Sequence, residues 1–219
     1  MNNNKKIYLL FILLLSIDLV YCQKVNYDSI DRASYFKTIE RLNQHLNKRL
    51  PDLEFQDVRG KKVKLSEFRQ KVLLIEIWAT WCGPCVKTIP ENQKTYNRLR
   101  QKGITDFEWI NISIDKDTAA WRKMVEAKNI HGINIIGNPK DIERYYHMRG
   151  APNYILVDNN RRILGFQLSF GPVLLDYMII KGIEGMNCAE AYKTINIDGS
   201  RNASEEFKAW RKSYYNGRQ

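Results

Sequence analysis

The chain predicts an α/β fold in which helices sandwich a mixed sheet. Three observations carry this. Val72 to Trp78 is an apolar run interrupted only by Glu76, and a helical pattern follows it from Val86 to about Lys102. Runs of that kind read as strands buried on both faces. Phe107 to Ile114 is apolar and β-branched enough for a second core strand, with a helix expected over Asp117 to Lys128. Later, Asn153 to Val157 and Ile163 to Phe170 flank Asp158-Asn159-Asn160-Arg161, a turn between antiparallel strands. Strands that alternate with helices early and pair as a hairpin late require a mixed sheet.

Residues 1–22 read as a targeting segment. Lys5 and Lys6 precede an apolar stretch, Ile7 to Ile17, which Asp18 ends. The stretch is short for a membrane span and suits a signal core. Val20-Tyr21-Cys22 permits cleavage before Gln23, and Leu19 to Cys22 loosely resembles a lipobox, with Tyr21 a poor fit. Simple secretion or an uncleaved anchor, and a lipidated Cys22, are the two expectations. Residues 23–49 form an N-terminal helical segment. Within it, Ile30, Ala33, Phe36, Ile39, Leu42 and Leu46 predict an amphipathic helix over Ser29 to Asn47 that Leu50-Pro51 stops.

The main domain is expected over 50–183. Leu53 to Asp57 and Lys62 to Leu65 alternate about the Arg59-Gly60-Lys61 turn, which predicts a hairpin. Ser66 to Phe68 suits a short helical turn. Asp117 is placed to cap the helix that carries Trp121, Met124 and Val125 on one face. Ile133 to Ile136 is apolar without a clear period. Asp141 to Met148 reads as a short helix, and Gly171-Pro172 opens another to about Ile183. In the tail, 184–219, Asn187 to Ser200 reads as irregular and Ser204 to Tyr215 as a capped helix.

The 219 residues carry 35 Lys and Arg against 24 Asp and Glu, a formal charge of +11. The basic residues are scattered and no nucleic-acid motif occurs, so nucleic acid is not an expected partner. The excess suits a solvated surface or one that prefers acidic partners or anionic lipid. The four cysteines are Cys22, Cys82, Cys85 and Cys188. So few in an exported chain argue against a disulfide-stapled scaffold. Cys188 reads as a small, semi-buried hydrophobe.

Cys82-Gly83-Pro84-Cys85 falls at a strand-to-helix junction, where a close cysteine pair is usually a redox device. Pro84 suits a first helical turn. Unpaired N–H groups and the helix dipole there favour a thiolate on Cys82. Cys82 is therefore the expected nucleophile, partly exposed to its substrate, and Cys85 the shielded resolving thiol. Glu76, an acid inside an apolar strand, should have a raised pKa and is the expected proton acceptor for Cys85. Pro152 enters a core strand, and a cis Ala151–Pro152 bond is one way to accommodate it. Other readings of the pair remain. Structural zinc needs two further ligands, and His45, His131 and His147 are dispersed. Haem attachment needs His where Val86 stands. A structural disulfide would close a loop too short to stabilise much.

Glu76-Ile77-Trp78-Ala79-Thr80-Trp81-Cys82-Gly83-Pro84-Cys85, with Pro90 following, resembles the active-site segment of thioredoxin-fold proteins. Gly150-Ala151-Pro152-Asn153 resembles the cis-proline segment of that family. Leu50-Pro51-Asp52-Leu53, Leu65-Ser66-Glu67-Phe68 and Ile155-Leu156-Val157-Asp158 are similar to the exported TlpA/ResA-like group. The resemblance spans about 50–183. It implies a thioredoxin fold, a redox-active Cys82–Cys85 disulfide, and a substrate surface of Trp81, Gly83, Pro84, Ala151 and Pro152. It implies no cofactor or metal. The implied partners are disulfide-containing exported proteins and a membrane electron donor, with the chemistry in the periplasm or facing it from a membrane anchor. The Gly-Pro dipeptide matches thioredoxin, whose potential of about −270 mV is reducing beside about −120 mV for DsbA. Asn153 stands where Thr is common in the family. Thr88 stands where ResA-type proteins often carry a Glu tied to cytochrome c maturation. A thiol peroxidase on the same fold, or a peptide-binding module using the Pro152 edge, are the rival functions; Ala79 stands where a peroxidase would carry Thr.

Overall fold

A computed structural model describes residues 32–68, 71–148, 150–195 and 203–216. The targeting segment, Cys22 and the first residues of the expected helix at 29 lie outside them. Among the described residues no helix is long and apolar enough to cross a membrane. Residues 37–194 form one compact unit, and the described residues 32–36, 195 and 203–216 belong to a second.

Helix α1 (Arg32–Asn43) opens the described chain. It ends earlier than its apolar spacing predicts, because His45 and Asn47 take left-handed backbone and break the helix. Beyond it, Asn47 N–H bonds to Ile163 O, Ile163 N–H to Lys48 O, and Leu50 N–H to Arg161 O. The 47–50 segment thus pairs along the β7 edge. Strands β1 (Glu54–Asp57) and β2 (Lys62–Lys64) form the expected hairpin, closed by Asp57, whose carboxylate accepts the N–H groups of Arg59 and Lys61.

Next come β3 (Val72–Trp78), α2 (Gly83–Gln101), β4 (Phe107–Ser113), α3 (Thr118–Ala127), β5 (Ile133–Ile136) and α4 (Pro139–Tyr146). Asp117 caps α3 as expected, accepting from Ala119 and Ala120 N–H. The apolar run 133–136 is a strand, parallel to β4. The chain closes the sheet with β6 (Asn153–Val157) and β7 (Ile163–Phe166), followed by α5 (Pro172–Ile183). Strand β7 stops at Phe166, short of the expected Phe170, because Gln167 is left-handed at φ 49°.

The seven strands run in the order β2-β1-β5-β4-β3-β6-β7. The centre, β5-β4-β3, is parallel and both flanks are antiparallel. Every residue of β3 and β4 is buried, including Glu76, Glu108, Asn111 and Ser113, which interrupt their apolar sequences. One face of the sheet presents Leu73, Ile75, Ile77, Ile110 and Ile112 to Ile142 and Tyr146 of α4. The other carries α2, α3 and α5; there Trp78 packs with Ile89, Trp121 and Val125, and α2 packs against α5.

One expectation fails in the tail. Residues 188–195 are helical, as α6 (Cys188–Ile195), rather than irregular. Asn187 Oδ1 accepts the Glu190 N–H at 2.9 Å and Glu190 Oε2 accepts the Asn187 N–H at 3.3 Å, a reciprocal cap that starts the helix. Cys188 is fully buried rather than semi-buried. In the second unit, α7 (Glu205–Asn216) begins where Ser204 Oγ accepts the Phe207 N–H, and Phe207, Trp210 and Tyr214 stack along one side.

Candidate active site

Strand β3 ends at Trp78, and the chain turns through Ala79, Thr80 and Trp81 into α2. Cys82 is the N-cap, with extended backbone, and its Sγ accepts the Cys85 N–H at 3.2 Å. Pro84 lies in the first turn, where its missing N–H leaves no bond unmade. Cys82 and Cys85 are joined by a disulfide. Cys82 is more enclosed than expected. Cys82 is 4% exposed and Cys85 1%, whereas Trp81 beside them is 66% exposed. The physical reason is the cluster around them: Trp78, Ala79, Ile89 and Trp121 pack on the two cysteines, with Val86 and Ala151 at its margin.

The turn before the pair is tethered by a residue that the sequence did not single out. Asp115, in the β4–α3 loop and 5% exposed, accepts the Thr80 N–H at 2.9 Å and the Thr80 hydroxyl at 2.7 Å. The Ser113 hydroxyl adds a third bond at 2.7 Å.

Beneath α2, Glu76 lies on the same sheet face as its register partners, Asn111 of β4 and Tyr154 of β6. Its carboxylate is buried and bonded to three groups. Asn92 Nδ2 reaches both oxygens, at 3.1 and 3.0 Å. Tyr154 Oη lies 3.0 Å from Oε1 and Trp109 Nε1 3.2 Å from Oε2. Asn92 comes from α2, seven residues beyond Cys85 and so on the same helix face. Burial pushes the Glu76 carboxyl up to about 7, against the pull of the Tyr154, Trp109 and Asn92 hydrogen bonds. A cavity of about 20 Å³ adjoins it, lined by Asn111 and His131 among others. That is room for one water molecule. Cys85 is not among the hydrogen-bond partners of Glu76.

The Ala151–Pro152 bond is cis. Asn153 Nδ2 bonds back to Gly150 O at 3.0 Å, closing the turn, and Ala151 packs on the cysteine cluster. The two segments that resemble thioredoxin-fold sites, 76–85 and 150–153, therefore meet. Among the described residues no group of three or more His, Cys, Asp or Glu side chains could hold a metal ion.

A sequence model of the redoxin family matches residues 45–172. The chain belongs to the redoxin family. The thiol-disulfide oxidoreductase ResA of Bacillus thuringiensis subsp. konkukian is 25% identical over 164 residues, 75% of this chain and 88% of that protein. ResA of Bacillus cereus strain ATCC 10987 is 26% identical over 130 residues, 59% of this chain and 72% of that one. Two solved structures share the fold. The thioredoxin domain of a Bacteroides vulgatus thiol-disulfide oxidoreductase aligns with a TM-score of 0.52 and 25% identity, over 64% of this chain and 96% of that one. A thiol:disulfide interchange protein from Bacteroides sp. gives a TM-score of 0.54 and 26% identity, over 64% and 91%. This redoxin is a thioredoxin-fold thiol-disulfide oxidoreductase similar to ResA.

In this redoxin the sequence signals for Cys82, Cys85, Glu76 and Pro152 were local. Those for Asn92, Trp109, Asp115 and Tyr154 were not. Their polar atoms become visible only when the fold sets them against Glu76 or Thr80. Asn92 carried one faint signal: it is polar on the helix face that also carries Cys85 and Ile89.

Proposed function

We propose that this chain reduces or exchanges disulfides in exported proteins, in the periplasm or beside its membrane, with Cys82 and Cys85 as the working dithiol. The observation that carries the reading is the disulfide between Cys82 and Cys85 at the start of α2, above a buried acid. A sulfur at a helix N-terminus is favoured as thiolate by the N–H groups and dipole there. In the reduced enzyme the Cys82 thiolate attacks one sulfur of a substrate disulfide. That bond breaks, a mixed disulfide forms, and one substrate thiolate leaves. Glu76 then accepts the Cys85 proton, and the Cys85 sulfur attacks Cys82 Sγ. The mixed disulfide breaks, the Cys82–Cys85 bond forms, and the second substrate thiolate leaves. Two electrons pass from the dithiol to the substrate.

A carboxyl with a pKa of about 7 is populated in both protonation states near neutrality, which suits this role. Its hydrogen bonds in the oxidised form run to Asn92, Trp109 and Tyr154 rather than to Cys85. Trp81, Gly83, Pro84, Ala151 and Pro152 form the surface that the substrate approaches in this reading. Re-reduction needs an outside dithiol, and a membrane electron-donor protein would supply it.

The test is insulin reduction by the full chain with dithiothreitol as the electron source. The native chain should precipitate insulin B chain, and Cys82→Ser should not. Retained activity in that variant removes Cys82 as the nucleophile.

A further inference from the structure

A groove of about 700 Å³ runs from the Pro152 turn, between α2 and the segment that links β7 to α5. Its Pro152 end adjoins the cysteine cluster through Ala151. Thr88, on its α2 wall, donates its hydroxyl to Cys85 O at 2.9 Å. On the opposite wall, Phe170 stacks on Tyr192 with centroids 5.7 Å apart. The groove is therefore continuous with the redox turn.

Arg41 lines this groove. It lies in the last turn of α1 and donates through Nη1 to the carbonyl of Gln167, which the left-handed backbone there turns toward it. Residues 47–50, just beyond this helix, pair with β7. A guanidinium has five N–H donors, and among the described residues one of them has a protein acceptor. No carboxylate pairs with Arg41 among the described residues. A half-buried cation without an anion costs solvation free energy that an arriving carboxylate would recover. Burial also lowers the pKa of Arg41.

Two further titratable groups line this groove, Tyr154 and Glu91, and Tyr192 stacks on its Phe170. A tyrosine hydroxyl is ordinarily neutral near pH 7, and burial raises the Tyr154 value further. Glu91 is on the rim, and its Oε1 is 2.7 Å from Lys94 Nζ. Arg41 is thus the cation here without a carboxylate partner. It also precedes residue 45, where the redoxin match begins. The family pattern does not supply it.

We infer that this groove is a substrate subsite that takes an Asp or Glu side chain flanking the reacting half-cystine, with Arg41 as its counter-ion. The inference rests on the disulfide-reductase reading and names the class of substrate that the site prefers. An extended peptide whose cysteine lies at the Cys82–Cys85 turn would run past Pro152 into the groove. A residue a few positions away would come to Arg41, at about 3.3 Å of chain per residue.

The experiment uses the full chain, pre-reduced, in single-turnover reactions with disulfide-linked peptide homodimers, quenched and read by mass spectrometry. The peptides carry Asp, Asn or Lys at one to four positions on either side of the cysteine. At low salt the native chain should reduce the best Asp peptide about fivefold faster than its Asn counterpart, the ratio equivalent to about 1 kcal/mol for a partly exposed charge pair. The ratio should shrink as salt is added. Arg41→Gln should bring it to about one, and Arg41→Glu should invert it in favour of Lys. A merely structural role for Arg41 does not produce an inversion. Equal rates on all peptides by the native chain, or an Asp preference that survives Arg41→Glu, overturn the acidic subsite while the reductase reading stands. Failure to reduce any peptide overturns both.

Discussion

The Tyr154 hydroxyl lies 3.0 Å from Glu76 Oε1, across the antiparallel pairing that sets these two residues opposite each other. Asn92 Nδ2 is 3.0 Å from the same hydroxyl oxygen, which leaves the phenol proton for the carboxylate. This bond favours ionised Glu76, and among the hydrogen bonds that oppose burial it ranks first. Tyr154→Phe deletes one oxygen and keeps the ring. The Glu76 pKa should then rise above about 7. The pH at which the resolving step gains speed should move upward by about one pH unit, the size expected for one hydrogen bond to a charged group. Stopped-flow decay of the mixed disulfide against pH measures it. An unmoved inflection removes Tyr154 from the control of Glu76.

Glu76 should also leave a signature in stability. Its folded pKa, about 7, lies above the ordinary value of 4.5. Folding therefore favours the protonated acid, and the ionised form costs stability. Below about 4.5 the acid is protonated folded and unfolded, so the cost is absent; it grows as pH rises and is complete above about 7. The full cost is on the order of 3 kcal/mol. Glu76→Gln escapes it. Thermal melts should show the variant more stable than the native chain at pH 8, with the gap closing toward pH 4.5. A gap that is constant with pH would mean that Glu76 does not titrate in this window.

The network around Glu76 was legible in the sequence only in part. Glu76 was legible because an acid in an apolar strand contradicts its surroundings. Cys82, Cys85 and Pro152 were legible because their chemistry is compressed into a few adjacent residues. Tyr154 and Trp109 read as ordinary strand aromatics, and nothing local says that an aromatic hydroxyl or indole N–H points at a carboxylate. Sheet register decides that, and it is set by contacts far apart in the chain. The fold was legible where burial imposes a largely apolar run, as in β3. It was misread where a helix is short: α6 lacks length, although Asn187 and Glu190 have the spacing of a cap. Likewise, the end of β7 depends on the backbone of Gln167, a residue with no strong local preference.

Asp115 should act on the redox turn through Thr80. Asp115→Ala leaves the Thr80 N–H, the Thr80 hydroxyl and the Ser113 hydroxyl without their acceptor in a mostly buried place. The loss should be about 2–4 kcal/mol, several unmet donors offset in part by water that enters the gap. The turn holding Cys82 should loosen as well, lowering kcat for insulin reduction with little change in the pH profile, because Glu76 is untouched. Asp115→Asn keeps an acceptor and should recover most of both. Normal stability and normal rate in Asp115→Ala would show that Thr80 is held by other means.

Gly132 and Gly103 separate two costs that are usually confounded. Both have left-handed backbone, at φ 83° and 73°. A Cβ at Gly103 meets nothing within 4 Å, whereas one at Gly132 falls 2.4 Å from Trp109 O, a backbone atom that cannot rotate away. Gly103→Ala should therefore cost only the backbone strain, about 1 kcal/mol. Gly132→Ala adds overpacking against β4 and should cost about 2–4 kcal/mol. Urea unfolding at unchanged slope gives both values. The clash falls on the residue whose indole holds Glu76, so Gly132→Ala should also shift the pH at which the resolving step inflects, and Gly103→Ala should not. Equal losses in the two variants would mean that the β4 backbone yields freely at Trp109.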